Sequence, residues 1–383
     1  MVHSRYRWAG GEEATVERQV RMLRSRGHVV ATYEVRNPVS SGSSMAALLV
    51  APWNPKQFLR VKALIGEFSP DLVHVHNLWF SITPSAISAC RALSVPVVAT
   101  IQNYRTVCPE AHLFRNLKPC TDCLGKFPLP GIRHSCYRDS AALTGINGIA
   151  TQVNSWTGNW EAIDRVHVPS DFARAVLERG PLNSSQLVSF PNAVPDPGPR
   201  PMEPSQSKEV LFVGRLAPEK GLDLILEAWR RRSPQGLQLT VLGDGPERIE
   251  LEADAPEGVR FLGTVSVAEV TRRLLSARAL LFPSKWFEVC PMVIVEGLSA
   301  GVPILGHDLG AISELLDHSA PESLVSPTRR SGWDEALDLI DDGQTMDRLG
   351  LESREAFLAR HTFDAWYGSH MDLYSAAIAN HSM

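Results

Sequence analysis

The chain has 383 residues, 44% of them hydrophobic and 21% charged, with a formal net charge of −4. That length exceeds one ordinary core and points to two or three domains, and the acidic balance argues against a nucleic-acid partner. No apolar run approaches the roughly 20 residues that cross a bilayer, and the polar start MVHSRYRWAGGEE has no signal-peptide core. A cytoplasmic location is therefore expected, with peripheral contact to the inner face of the membrane through a basic or aromatic patch left open. In such a setting cysteines are free, metal-bound or catalytic rather than disulfide-bonded.

Taken in chain order, the pattern alternates helix and strand. Glu12–Arg26 places Val16, Val20 and Leu23 on one helical face. Short β-branched runs follow at Val29–Val35, Leu72–His76, Val95–Thr100, Arg165–Val168 and Leu187–Phe190. Pro191 to Ser207 holds six prolines and no hydrophobic period, which reads as a linker. Beyond it the alternation restarts: strand Val210–Val213, helix Glu219–Arg232, strand Leu237–Leu242 and helix Glu247–Ala253. Next come strand Val259–Leu262, helix Ser266–Ser276, strand Ala279–Phe282, helix Pro291–Ala300 and strand Val302–Leu305. Thr362–Ala379 closes the chain with aromatic residues at helical spacing. Continuous apolar strands between helices mean α/β architecture, two doubly wound parallel sheets, with ligands expected at the carboxyl ends of the strands and in a cleft between the halves.

The second half carries the chemistry. Glu288 and Glu296 lie eight positions apart where a strand meets a helix. Pro291 suits the first helical turn and Gly301 the left-handed residue past its end. The free N–H groups at Met292 and Val293 suit phosphate or sugar oxygens, and two carboxylates near such a terminus suit polyol hydroxyls. Arg215 and Lys220 leave the Val210–Val213 strand where the next helix begins, a place where cations oppose the helix dipole but neutralise a pyrophosphate. The turn LGDGPE supplies Gly243, which lets backbone approach a ligand closely.

Together GRLAPEKGLDLILEAW, LGDGPE, RFLGTVS, FPSKWFEVCPMVIVEGLSAGVPIL and GHDLGAISELL resemble, in order, the donor-binding half of family-4 retaining glycosyltransferases of the GT-B fold. PDLVHVHNLWFSITPSAISACRALSVPVVATIQNYRTVCPEAHLFRNLKPCTDCLG is similar to the first half of the polysaccharide-type branch. The resemblance implies an acceptor-side Rossmann-like domain over 1–194 with a cysteine-rich insert at 104–140, a linker at 195–207, a donor domain over 208–360, and a last helix, 361–383, crossing back. It implies that Arg215 and Lys220 bind the donor diphosphate, Glu288 the sugar hydroxyls and Glu296 the ribose. Cys290, Pro291, Met292 and Val293 would line the sugar-phosphate pocket, with Gly243 and Val265 from neighbouring loops, and Gly10 and Gly11 would abut the reaction centre. The activity implied is transfer, with retained configuration and without a catalytic metal, from a nucleotide sugar to a glycan, lipid-linked or small-molecule acceptor. The other reading is a catalytically silent nucleotide-sugar-binding partner.

Two departures stand out. Gln102 occupies a catalytic position where the family often has histidine; a glutamine cannot titrate but can hydrogen-bond the donor sugar. Family members usually have further apolar residues before MVHSRY, which makes a start codon placed too late the expectation. His74 and His76 alternate on one strand and read as satisfied core histidines. In the insert, Cys120 and Cys123 form a C-x-x-C knuckle flanked by Cys108 and Cys136, which suits a structural zinc or four buried free thiols.

Overall fold

The computed structural model describes residues 1–5, 11–37, 50–79, 81–232, 234, 236–317, 321–329 and 331–381. The strands are β1 (Val2–Arg5), β2 (Tyr33–Arg36), β3 (Val73–Val75), β4 (Val97–Thr100), β5 (Phe114–Arg115), β6 (Lys118–Pro119), β7 (Arg165–Val168) and β8 (Leu187–Ser189). They continue as β9 (Glu209–Val213), β10 (Gln238–Leu242), β11 (Val259–Gly263), β12 (Ala279–Phe282), β13 (Ile304–His307) and β14 (Leu324–Val325). Two parallel sheets result, ordered β2-β1-β3-β4-β7-β8 and β11-β10-β9-β12-β13-β14, and β5 and β6 form a separate antiparallel pair. The chain divides into two compact units: Met1–Leu113 with Cys120–Pro191 and Trp366–Met383, and Phe114–Pro119 with Asn192–Ala365.

The second sheet shows why its strands are apolar throughout. Val210 and Phe212 of β9, with Ala279 and Leu281 of β12, pack on one face against Ile225 and Trp229. Leu211, Leu280 and Phe282 face the other way, against Ile294, Val295 and Leu298. Period-2 alternation thus buries both faces, each large side chain contributing about 1.5–3 kcal/mol. In the first unit the helix Gly11–Ser25 buries Val16, Val20 and Leu23, the i, i+4, i+7 stripe seen in the sequence.

Several boundaries differ from expectation. Val29 is 84% exposed and β2 starts only at Tyr33. The expected helix from Glu219 splits: Pro218–Lys220 is a 3-10 turn, Gly221 takes φ 73°, and the helix proper is Leu222–Arg232. A Cβ at Gly221 would lie 2.2 Å from the Pro283 carbonyl oxygen, so the loops after β9 and β12 touch through a residue that only glycine suits. Pro291 caps the helix Met292–Ser299 rather than opening its first turn, and Gly301 follows in the left-handed region. The proline-rich stretch is fastened to the second unit: Arg200 donates to the carbonyls of Gly301 (2.6 Å) and Ala277 (2.7 Å), and Ser205 binds Asp347 through backbone and side chain.

Candidate active site

In the second sheet the strand order reverses between β9 and β12, the switch point at which α/β sheets open a ligand crevice. Gly214 and Arg215 leave β9 there, and Pro283 to Glu288 leave β12. Lys220 Nζ lies 2.7 Å from Glu288 Oε1, which also accepts from Ser284 Oγ at 2.9 Å. The pair is nearly sealed, the Lys220 and Glu288 side chains being 19% and 9% exposed. Lys220 also sits 4.8 Å from the Trp286 ring centroid, a cation–π contact that holds the ammonium over the loop.

Arg215 pairs with Glu219 and is half-exposed, so its guanidinium can re-aim. Burial pushes the Glu219 carboxyl up, but the Arg215 hydrogen bond and charge, with Lys220 beyond, hold it below its ordinary value. The backbone of Glu219 is tied to the other loop, its carbonyl accepting from Lys285 N–H at 2.8 Å. Thus Lys220 and Glu288 are set by two loops that brace one another.

The helix Met292–Ser299 follows Glu288 directly. Pro291 offers no side-chain cap, so the first-turn N–H groups at Met292 and Val293 have no intrahelical acceptor. Glu296 lies one turn on, half-buried. Burial pushes the Cys290 thiol up to about 12. Gly243, after β10, has φ 140°, and a Cβ there would fall 1.8 Å from the Gly214 carbonyl oxygen; it lets two crevice loops meet. Val265 packs with the apolar cluster beneath the crevice.

One positioning element was invisible in the sequence. Trp333 Nε1–H donates to His307 Nε2 at 2.9 Å, so His307 must carry its proton on Nδ1, which lies 2.9 Å from the Ser284 carbonyl oxygen. Burial lowers the His307 pKa and keeps the ring neutral. The end of β13 thereby holds the Ser284 loop. His307 is placed there because β13 runs Ile304–His307, two residues later than the apolar run suggested.

In the first unit, a cavity opens at the carboxyl ends of β3 and β4, lined by His76, Trp79, Ile87, Asn103, Arg105 and Asn154 among others. The Arg105 guanidinium lies 5.0 Å from the Trp79 ring centroid. His76 is buried, held neutral by burial, and neither ring nitrogen has a hydrogen-bond partner among the described residues. Gln102 follows β4, and its buried Nε2 likewise has no partner there. Gly11 opens the helix Gly11–Ser25, whereas Gly10 lies outside the described residues.

The four insert cysteines all fall in the first unit as free thiols. Burial raises the Cys108 thiol, while backbone N–H groups of Leu113, Glu110 and Ala111 converge on it and oppose that rise. Burial pushes Cys123 up to about 11, and it lies close enough to feel the charge of the other three. Among the described residues no three His, Cys, Asp or Glu side chains form a ready ion site.

Comparison with known proteins accounts for both units. Residues 9–196 match the model for Glycosyltransferase Family 4, and residues 199–356 that for Glycosyl transferases group 1. The chain belongs to the group 1 glycosyltransferases of family 4, with the GT-B fold. The phosphatidyl-myo-inositol mannosyltransferase of Mycolicibacterium smegmatis (strain ATCC 700084 / mc(2)155) is 24% identical over 359 residues, covering 88% of this chain and 82% of that one. A sucrose-phosphate synthase from Thermosynechococcus elongatus superposes with TM-score 0.71 at 17% identity, covering 99% of both chains. The Anabaena protein HepE in complex with UDP-glucose gives TM-score 0.65 at 14% identity, covering 100% of this chain and 98% of that one. Such low identities speak for the fold alone. The chain spans 21%, 45% and 42% of the length of three further curated relatives. No helix among the described residues is long and apolar enough to cross a membrane.

Proposed function

We propose that this protein is a retaining glycosyltransferase whose second unit holds a nucleotide-sugar donor and whose first unit holds the acceptor. The observation that carries the reading is the Lys220–Glu288–Ser284 cluster at the switch point, directly before an uncapped helix N-terminus. In the reaction the bond from the sugar's anomeric carbon to the diphosphate oxygen breaks, and its electron pair leaves with the diphosphate. The acceptor oxygen forms the new bond on the same face of the sugar, and its proton passes to the leaving diphosphate. Negative charge therefore develops near the first-turn N–H groups and near Lys220 and Arg215, which turn to it from Glu288 and Glu219, and there electrostatic stabilisation is strongest. These cations do the work of a divalent metal. Glu288 accepts from sugar hydroxyls, Glu296 from ribose hydroxyls, and the Gln102 amide hydrogen-bonds the donor sugar.

The likeness to HepE in complex with UDP-glucose and to the phosphatidyl-myo-inositol mannosyltransferase supports a nucleotide-sugar donor and a glycoconjugate acceptor. In the first-unit cavity, His76 and Arg105 are the residues suited to hold acceptor hydroxyls or an anionic group. The test is a nucleotide-sugar panel read by thermal shift and by sugar transfer, on wild type and Lys220→Ala. A true donor raises the melting point by linkage. Lys220→Ala should then lose about a hundredfold or more in transfer. Wild-type turnover by a folded Lys220→Ala overturns the assignment, and donor binding with neither transfer nor hydrolysis would instead identify a silent binder.

For the insert we retain a structural zinc held by Cys108, Cys120, Cys123 and Cys136. Its support is the knuckle spacing, Cys120 and Cys123 flanked by Cys108 and Cys136.

A further inference from the structure

The helix Ala141–Trp156 in the first unit is amphipathic in the wrong sense for a surface helix of a water-exposed domain. Its core side is polar: Thr144, Asn147 and Asn154 are each at most 2% exposed. Each makes a specific bond, although Asn147 Oδ1 is buried without a partner among the described residues. Thr144 Oγ1 donates to the Ser140 carbonyl at 2.7 Å, Asn147 Nδ2 to Pro109 O at 3.2 Å, and Asn154 Nδ2 to Pro52 O at 3.0 Å. Away from the core lie Ile149 and Trp156, with half-buried Ile146 and Val153 at the edge of the same stripe, the four at i, i+3, i+7 and i+10. Ile149 is 50% exposed and Trp156 78%. The sixteen residues contain no charged side chain. A solvated helix normally puts its charges there.

The stripe has neighbours of matching character. Pro128 lies over Gly148, and beside it Phe127 and Leu129 are exposed. From Leu124 to Thr157 the chain carries Lys126, Arg133 and Arg138 against the single acid Asp139, with Asp122 and Glu161 just outside that stretch. Arg91 adds a cation at the far end, donating to the Thr157 carbonyl at 3.1 Å. An apolar stripe ending in an exposed tryptophan and rimmed by cations has the chemistry of a bilayer interface: the apolar groups enter the acyl boundary, the indole takes the headgroup level and the cations meet anionic lipid.

We propose that this face seats the protein on a membrane surface bearing anionic lipid. Its consequence for the reaction rests on the acceptor reading above. Ala150, Thr151 and Asn154 of the same helix line the first-unit cavity from the other side. Seating the helix therefore brings that cavity to the headgroup layer, and the class of acceptor it favours is lipid-linked.

The experiment measures cosedimentation of the full-length protein with phosphatidylcholine vesicles, with and without phosphatidylglycerol, at low and high salt and without donor. Binding to the anionic vesicles that weakens with salt is expected. The double variant Ile149→Ser/Trp156→Ser should bind at least tenfold more weakly, with an unchanged melting curve and an unchanged thermal shift by donor, since both side chains are exposed. Failure of wild type to bind either vesicle, or equal binding by the double variant, overturns the proposal. Concentration-dependent self-association that the double variant abolishes, without vesicle binding, would assign the face to a second copy of the chain instead. Loss of vesicle binding with donor binding intact separates this proposal from the donor assignment.

Discussion

Acidification to pH 5.5 should destabilise the first unit by about 3 kcal/mol, because its core is built on histidines locked in the neutral form. The proton positions follow from the acceptors. The Phe190 carbonyl lies 2.8 Å from His167 Nε2, so that nitrogen carries the proton and His167 Nδ1 accepts from the Thr100 hydroxyl at 3.2 Å. Thr100 in turn accepts from His74 Nε2–H at 2.7 Å, which leaves His74 Nδ1 to accept from Tyr374 O–H at 2.8 Å. His370, on the helix Phe363–His381, donates from Nδ1 to the Trp366 carbonyl at 2.8 Å. A second proton on His74 or His167 would set donor against donor. Burial pushes His370 down to about 4, and His74, His76 and His167 well below the ordinary value, with their mutual charges adding to the depression for all but His370. A depressed folded pKa means that the unfolded chain binds the extra proton. Stability is therefore complete above about pH 6.5 and falls as pH drops toward each folded value. Between pH 7 and 5.5 each such histidine costs roughly 1.2 kcal/mol, and four together roughly 5. Glu110 runs the other way: burial raises its carboxyl to about 7, which returns roughly 1.5 kcal/mol over the same interval. Urea titrations followed by far-ultraviolet circular dichroism and tryptophan fluorescence at pH 7, 6 and 5.5 check this. A stability flat to within about 1 kcal/mol over that window would refute it.

Two further predictions concern the other unit and the insert. Trp333→Phe removes the N–H that fixes the His307 tautomer and trims a buried ring, so the second unit should lose about 1–3 kcal/mol and the donor KM should rise more than kcat falls; unchanged donor affinity would show that the latch does not position the Ser284 loop. Metal analysis of the purified protein should find one zinc per chain, lost together with Cys123→Ser, and four freely titratable thiols without metal would end the zinc proposal.

Much of this was legible in the sequence where one residue type answers one local demand. Strands buried on both faces must be apolar without alternation, and β9 and β12 are. Gly243 and Gly301 sit where positive φ is required, and Lys220 and Glu288 sit where strands end. What stayed hidden depends on pairs distant in sequence. Nothing local to His307 says that an indole from Trp333 will fix its proton, and nothing in LVHVHN says that Tyr374, 300 residues on, will complete its hydrogen bonds. The Ala141–Trp156 helix escaped for a different reason. Its apolar stripe looks like a core face, and only the tertiary fold shows that the buried side is the polar one.

The donor crevice carries a similar inversion in its electrostatics. Without donor, Lys220 and Glu288 satisfy each other in a nearly sealed site, and a desolvated pair of this kind is costly to break from one side alone, on the order of 3–5 kcal/mol. A free diphosphate would draw Lys220 away and leave the Glu288 carboxylate uncompensated; a free sugar would engage Glu288 and leave the ammonium so. Only a molecule with diphosphate and sugar hydroxyls on adjacent atoms replaces both partners at once. The half-exposed Arg215, by contrast, can leave Glu219 at little cost, because its charge stays hydrated. On the proposed reading, Arg215 would be the cation free to meet the incoming phosphate, and Lys220 the one released when the sugar arrives with it. The ion pair would then select for the intact donor through the same two side chains that the proposed bond-breaking step needs.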